Sequence, residues 1–138
     1  MSTPNDDLDF EIKFYEGLLE KKPDFVEALA LLGDLYTRRG MYERGLKIDE
    51  QLAVLRPSDA IVFYNLACSY SLLKEIDKSL RSIKRAINCG YSDFEHLDHD
   101  SDLDNLRADE RFKKFLSRVK NREEQMDYQS ESESETHS

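Results

Sequence analysis

The sequence predicts an all-α fold built from stacked helical pairs, and three observations carry this prediction. Pro and Gly are scarce, with 3 and 5 among 138 residues, whereas Leu, Glu, Lys and Arg, which favour helix, recur throughout the chain. Apolar residues return at helical spacing along most of its length. The pattern also repeats, because Leu32 and Tyr36 are followed 34 residues later by Leu66 and Tyr70.

Each repeat contains two amphipathic stretches separated by a short break. In the first repeat, the apolar stripe that includes Leu29 ends at Gly40, and Pro57 stops the second stripe. In the second repeat, the break falls near Lys74, and Gly90 supplies the C-terminal stop. This spacing predicts two helix–turn–helix units in tandem.

A helix–turn–helix unit with a 34-residue period resembles the tetratricopeptide repeat. The positions that match the repeat signature are Leu29, Leu32, Gly33, Tyr36, Pro57, Phe63, Leu66, Ala67, Tyr70 and Ala86. The resemblance implies a right-handed superhelical α-solenoid, in which the small residues at positions 33 and 67 let paired helices approach closely.

The repeats divide the chain into six segments. They are a flexible N-terminus (1–7), a half-repeat helix (8–24), the first repeat (25–59), the second repeat (60–93), a degenerate repeat with capping helices (94–122), and a tail (123–138). Asp109 is a predicted N-cap in the capping segment. Because the tail is acidic, rich in Ser and almost without apolar residues, the sequence predicts that it is disordered.

The resemblance also implies where a partner binds, since the first helices of such repeats line a concave groove. Carried over by position, the groove residues are Glu27, Ala30, Asp34, Thr37, Ile61, Tyr64, Asn65, Cys68, Ser71 and Leu72. Tyr64 is the expected aromatic anchor, Asn65 the expected main-chain hydrogen-bonding residue, and Asp34 with Glu27 the expected selectors of basic groups. The predicted function is a non-catalytic interaction module for a protein or peptide with basic and apolar residues.

Composition narrows the class of partner and the compartment. A formal net charge of −9 argues against nucleic acid, whose binding depends on clustered Lys and Arg. Cys68 and Cys89 have no paired spacing, so free thiols in a reducing compartment are expected. The N-terminal residues do not resemble a signal peptide, and no apolar run approaches the ~20 residues of a membrane span. We expect a cytoplasmic protein without a cofactor or membrane partner.

Two other classes of function stay open from the sequence. Residues 95–109 carry alternating Asp residues and two His, which could bind a divalent metal, although the Gly that a calcium loop needs is replaced by Leu103. We expect no resident metal there. Self-association into a homo-oligomer through the groove or the end faces is the second alternative. Catalysis is not expected, because nothing in the sequence around Cys68 favours a thiolate.

Asp49 interrupts the apolar face of its helix. The repeat alignment puts it in the slot of Tyr15 and Ile83, near a junction between repeats and away from the groove. A carboxylate buried there needs hydrogen-bond partners, which a Tyr hydroxyl or an Arg could supply. We predict a structural role for Asp49.

A second charged feature is a basic stripe, formed by Lys74, Lys78, Arg81 and Arg85 at helical spacing. The expected role of such a stripe is a solvated outer face.

Overall fold

The structure, a computed structural model, describes residues 2–135, with side chains up to residue 129. Contacts between Cα atoms divide the chain into two compact units, the first ending at Leu106 and the second beginning at Arg107.

The first unit consists of helices joined by short turns, with no strand among its described residues. Its elements are α1 (Pro4–Lys21), α2 (Val26–Arg38), α3 (Tyr42–Leu55), α4 (Ala60–Leu72), α5 (Ile76–Asn88), α6 (Phe94–His99), a 3-10 turn (Ser101–Leu103) and the start of α7 (Asp104–Arg107). α2 packs on α3 and α4 packs on α5, so each repeat holds one helical pair. The predicted all-α fold of stacked helical pairs is confirmed.

Two apolar clusters hold successive helices together. The first joins α1 to α2 and contains the buried residues Ile12, Leu32, Leu35 and Tyr36. The second joins α2, α3 and α4 and contains Leu29, Leu52 and Val62. Burying a side chain of this size contributes roughly 2 kcal/mol. The Tyr36 hydroxyl also donates to Glu16 Oε2 at 2.9 Å, which adds a polar tie between α1 and α2.

α1 begins at Pro4, within residues 1–7, for which the sequence predicts a flexible segment. Thr3 and Asp6 form a capping box, in which each side chain accepts a hydrogen bond from the other residue's backbone N–H, at 3.1 and 3.0 Å. Pro4 at the first helical position lacks an N–H that would need a partner. These local bonds start the helix without requiring a buried apolar residue.

The breaks between paired helices are confirmed at the predicted positions, and both use a left-handed backbone. Gly40 follows α2 with φ 84°, a conformation that glycine adopts at little cost. Lys74 takes the corresponding place after α4 with φ 61°, where a side chain is strained. Gly90 follows α5 with φ 109°.

Close approach within the first helical pair depends on two glycines. A Cβ atom at Gly33 would lie 3.1 Å from Cγ2 of Ile48, and one at Gly45 would lie 3.0 Å from Oγ1 of Thr37. In the second pair, Ala67 replaces Gly33 and is fully buried.

The other signature residues divide by burial. Leu29, Leu32, Gly33, Tyr36, Leu66, Ala67 and Ala86 are buried, Phe63 and Tyr70 are half-buried, and Pro57 is exposed just after α3. The two half-buried rings contact the basic stripe, since Arg85 lies 5.2 Å from the Phe63 ring centre and Lys78 lies 5.8 Å from that of Tyr70. The stripe therefore packs on this part of α4 as well as facing solvent.

The second unit contains the end of α7 and the helix α8 (Glu110–Glu135). The Asp109 carboxylate accepts from the Arg111 N–H at 2.8 Å, as a residue that caps a helix does. α8 extends through most of residues 123–138, for which the sequence predicts disorder, and residues 136–138 lie outside the described part. Few residues there are apolar, which disfavours a packed core, whereas Glu and Gln favour helix, and the side chains of residues 123–129 are exposed.

Candidate functional site

A polar cavity of about 320 Å³ lies in the first unit, between α2, α3, α4 and residues 94–106. Its lining residues are Ala30, Gly33, Asp34 and Thr37 from α2, Asp49 and Leu52 from α3, Tyr64, Asn65, Cys68 and Ser69 from α4, and His96, Asp100 and Asp102 from α6 and the 3-10 turn. Four of these side chains are carboxylates, and none is Lys or Arg. We call this space the acidic cavity.

Residues 94–106 form one wall of the acidic cavity by packing on α4. Leu97, Leu103 and Leu106 are fully buried. The Ser71 hydroxyl accepts from the Leu106 N–H at 3.2 Å, and the Asn105 side chain donates to the Ser71 carbonyl at 2.9 Å. These contacts position the acidic turn between α6 and α7 beside α4.

Asp100 connects this turn to α4 through its carboxylate. The Tyr64 hydroxyl donates to Asp100 Oδ2 at 2.6 Å, and the Cys68 thiol lies 3.8 Å from the same oxygen. The Tyr64 ring stacks on Tyr91, with ring centres 4.4 Å apart. Burial and the bond to Asp100 raise the pKa of the Tyr64 hydroxyl. Tyr64 is therefore a fixed hydrogen-bond donor.

The structure corrects the predicted groove at three residues of α4. Tyr64, Cys68 and Ser71 are buried, and Tyr64 is only 4% exposed, so it is not available as an anchor for a partner. The physical reason is that residues 94–106 cover this part of α4. The other predicted groove residues are exposed or half-buried, and they are Glu27, Ala30, Asp34, Thr37, Ile61, Asn65 and Leu72. We call this set the α2–α4 face.

Asp49 is buried at a junction between the two repeats, as the repeat alignment predicts. It is 7% exposed and accepts a hydrogen bond from the Ser69 hydroxyl of α4. The partner is a Ser, where the sequence suggested Tyr or Arg. Asp49 also lines the acidic cavity, together with Ala30, Asp34 and Asn65 of the α2–α4 face, so it lies closer to the predicted groove than the repeat alignment indicates. Burial raises the pKa of Asp49 to about 6, and the nearby carboxylate of Asp34 adds to the shift.

Asp102 experiences the same negative environment from the opposite wall. Burial raises the pKa of its carboxyl group, and Asp100, Asp34 and Asp104 raise it further. The acidic cavity therefore concentrates negative charge that no Lys or Arg in its lining compensates.

The residues considered for metal binding are only partly brought together. Cys68 Sγ and a carboxylate oxygen from each of Asp100 and Asp102 lie within 4.8 Å of one another. His96 Nε2 lies 3.3 Å from Asp100 Oδ2, whereas His99 Nδ1 lies 2.8 Å from the Glu95 carbonyl, on its own helix. Of the two His considered as possible metal ligands, only His96 therefore lies beside Asp100.

Cys68, with His96 or His99 as a base, is the one nucleophile–base pair that the sequence suggests for catalysis. Burial raises the pKa of its thiol, and the charges of Asp100 and Asp102 raise it further. A thiol in this environment stays protonated, which disfavours nucleophilic catalysis.

Sequence reasoning did not find the acidic cavity itself. Ser69, His96, Asp100 and Asp102 join it, yet only the last three were considered, and only as metal ligands. The position of the acidic run in the sequence could have indicated the contact. The run follows directly on the second repeat, where the first helix of a further repeat would pack on α4.

Comparison with known proteins is informative mainly about the fold. No protein-family model matches the chain. Among curated proteins, it is similar to a chloroplastic protein of Arabidopsis thaliana, with 29% identity over 108 residues. The match covers 76% of this chain but only 31% of the relative.

Solved structures of MamA, a tetratricopeptide-repeat protein, resemble this chain. One crystal structure has a TM-score of 0.59 and 24% identity, and covers 65% of this chain and 56% of that one. A structure of residues 41 to the end of MamA from Desulfovibrio magneticus RS-1 has a TM-score of 0.66 and 17% identity. The match covers 88% of this chain and 69% of that one. An RS-1 MamA double mutant gives 0.69 at 18% identity over the same shares. The chain therefore has the fold of a tetratricopeptide-repeat solenoid, as its sequence predicts.

Proposed function

We propose that this chain is a non-catalytic protein-interaction module that binds an extended or helical segment of a partner on the α2–α4 face. The observation that carries the proposal is that exposed residues of two successive first helices border the acidic cavity. A concave site with apolar contacts and a few convergent polar groups is typical of a binding site.

The α2–α4 face divides into an apolar part and a polar part. Ile61 is 56% exposed, and with Leu72 it offers apolar contact on α4. Glu27 and Asp34 offer negative charge on α2, and Asn65 offers an amide that can bond a partner's main chain. This combination favours a partner segment with apolar residues beside Lys or Arg. Ile61 replaces Tyr64 as the proposed apolar anchor.

The proposed module would bind at low conformational cost. Leu29 and Leu32 of α2 and Val62 of α4 are buried in the apolar clusters, so the helix backbones that carry the α2–α4 face are held in place before a partner arrives. Only the exposed side chains would lose freedom, at about 1 kcal/mol for each one immobilised.

The charge of the acidic cavity and the state of the two cysteines bear on the class of partner and on the compartment. Nucleic acid is disfavoured because the acidic cavity would repel phosphate. Among the described residues, no helix combines the length and apolar character of a membrane span. Cys68 and Cys89 are both free thiols, which favours a reducing compartment. A cytoplasmic location is part of this proposal, and the chloroplast is stated only of the Arabidopsis protein.

Self-association is a second candidate, favoured by one observation on α1. Phe10 and Phe14 lie one turn apart and are 75% and 59% exposed. Two exposed phenyl rings on one helix face suit contact with a second copy of the chain. Light scattering over a concentration series tests this candidate, and a mass that stays monomeric excludes it.

The experiment for the main proposal is a selection of displayed random peptides on the full chain, followed by calorimetric titration of the selected peptides. The test variant is Ile61→Ser/Asn65→Ala, which changes exposed groups only. Val54→Ser on α3 is the matched control, since Val54 is 80% exposed and outside the α2–α4 face. We expect the test variant to bind at least about tenfold more weakly. Equal affinity of all three proteins would refute the assignment.

A further inference from the structure

We propose that the acidic cavity binds the cationic end of a lysine or arginine side chain from the partner segment. The inference rests on the proposed function and specifies where the partner's basic group goes. It is carried by an undersatisfied buried carboxylate, by the charge of the surrounding walls, and by the shape and size of the space.

The first argument is the hydrogen bonding of Asp49. A carboxylate can accept about four hydrogen bonds. Asp49 is only 7% exposed. Among the described residues, Ser69 is nevertheless its single hydrogen-bond donor. Asp49 lines the acidic cavity, so a donor that enters the cavity can reach it. A single donor leaves a largely buried carboxylate with little compensation for its charge, and a ligand with several N–H groups would supply more.

The second argument is that the walls differ in how much of their charge is already compensated. Asp100 accepts from Tyr64 and lies 3.3 Å from His96, so it is engaged within the protein. Within the described part of the chain, Asp102 and Asp49 have no basic partner, and the charge of Asp34 raises the pKa of both. Asp34 pairs with Arg38 at 3.5 Å, but both side chains are largely exposed, so this pair compensates little of its charge. A cation placed among Asp34, Asp49 and Asp102 would be attracted by all three.

The third argument is the shape and size of the cavity. Ala30 and Leu52 give it an apolar wall, whereas Asp49 and Asp102 are polar. A Lys or Arg side chain has this division, with an apolar stem and a charged end that carries three or more donors. A volume of about 320 Å³ is enough for one such side chain but not for a folded element. Asp34 and Asn65 belong both to the lining and to the α2–α4 face, so a bound segment can direct a side chain inward.

The test uses the isotope-labelled full chain and two probes of nearly equal shape. Nα-acetyl-lysine methylamide carries the cation, and Nα-acetyl-norleucine methylamide carries only the apolar stem. We expect the lysine probe to cause saturable amide shifts at Asp34, Asn65 and Ser69, and the norleucine probe to cause none. In Asp49→Asn, the affinity should fall about tenfold, the effect of losing one charged hydrogen bond. Asp102→Asn is a second variant with the same expected direction.

Four results would overturn the inference, and the last concerns the source of the cation. The first is an equal response to both probes, and the second is an unchanged affinity in both variants. The third is that calcium or zinc, titrated alone, shifts the same amides and Cys68 at lower concentration than the lysine probe does, which would assign the cavity to a divalent metal. If spermidine binds more tightly than the lysine probe, and selected peptides keep their affinity when their lysine is replaced by norleucine, the ligand is a free polyamine.

Failure of this inference is distinguishable from failure of the proposed function. Peptides that bind through Ile61 and Asn65 but tolerate norleucine in place of lysine would leave the α2–α4 face as the binding surface and remove the cationic site. If no peptide is selected but the lysine probe binds saturably, the cationic site remains and the α2–α4 face is no longer supported as a peptide-binding surface.

Discussion

Asp49→Asn is the substitution that most sharply tests the physical description of the acidic cavity. The change removes a negative charge from a buried position and keeps an oxygen that can accept from Ser69. It also keeps nearly the same volume, so packing around α3 changes little. We expect the variant to be more stable than the wild type near neutral pH, which is unusual for a buried polar substitution.

The magnitude and the sign follow from the pKa of Asp49. Its value rises from 3.8 to about 6 on folding, and such a shift corresponds to a free energy on the order of 3 kcal/mol. Because the folded pKa is the higher one, the folded state holds the proton more tightly than the unfolded state does. This contribution is fully present below the unfolded pKa and is lost as the pH rises through the folded pKa. The variant has no such loss.

The other groups around Asp49 shift its pKa in both directions, and burial is the largest cause of the net rise. Asp34 on α2 and Glu50 on α3 raise the pKa of Asp49, whereas the hydroxyl of Ser69 on α4 lowers it. From the wall formed by residues 94–106, His96, Asp100 and Asp102 also face the cavity. Subtracting the variant from the wild type cancels titrations that the two proteins share, so the difference reports Asp49.

The assay is urea unfolding followed by circular dichroism, at several pH values between about 4 and 7. The slope of stability with pH there counts the protons exchanged on unfolding, which Asp49 releases. The variant should gain as much as about 2 to 3 kcal/mol over the wild type near pH 7, and the gain should vanish near pH 4. Asp24→Asn is the matched control, because Asp24 is exposed and lies outside the cavity lining, so its loss should change stability little. A variant that is less stable at pH 7, or a difference that does not vary with pH, would refute the reasoning.

Three further predictions concern backbone strain, the wall of the cavity and the exposed face. Lys74→Gly should stabilise the protein by roughly 1 kcal/mol and Gly40→Ala should destabilise it by about as much, because both positions have positive φ. A destabilised Lys74→Gly or a stabilised Gly40→Ala in urea unfolding would contradict this. Tyr64→Phe should cost about 1 to 2 kcal/mol by removing the donor to Asp100, and an unchanged unfolding midpoint would show that this bond contributes nothing. Ile61→Ser alone should leave the midpoint within about 0.5 kcal/mol, as for exposed sites, while weakening the selected peptides in calorimetry; the opposite pattern would place Ile61 in the core.

The fold could be predicted because its determinants are local and repeat. The period from Leu32 to Leu66 fixes the helix phase, so the residues that pack between helices are evident from spacing alone. Gly40 marks a break by its own backbone preference, and Gly33 marks a close approach between helices. Each of these signals depends on one or two residues, without knowledge of distant contacts.

The site could be predicted only in part because it depends on a segment outside the repeats. The resemblance to the tetratricopeptide repeat put Asp34 and Asn65 on an open face, and both are exposed. It could not show that residues 94–106 cover Tyr64, because that contact joins positions 36 residues apart, as in the hydrogen bond from Tyr64 to Asp100. For the same reason, Asp49 was predicted as a junction residue, but its access to the cavity was missed.

The central claim is that a partner segment binds on the α2–α4 face with its basic residue in the acidic cavity. The most direct measurement is the map of amide shift changes when a selected peptide is added to the isotope-labelled full chain. The account predicts changes at Ala30, Asp34, Ile61 and Asn65, together with Asp49 at the cavity. Changes confined to the exposed Phe residues of α1 or to the basic stripe would contradict it.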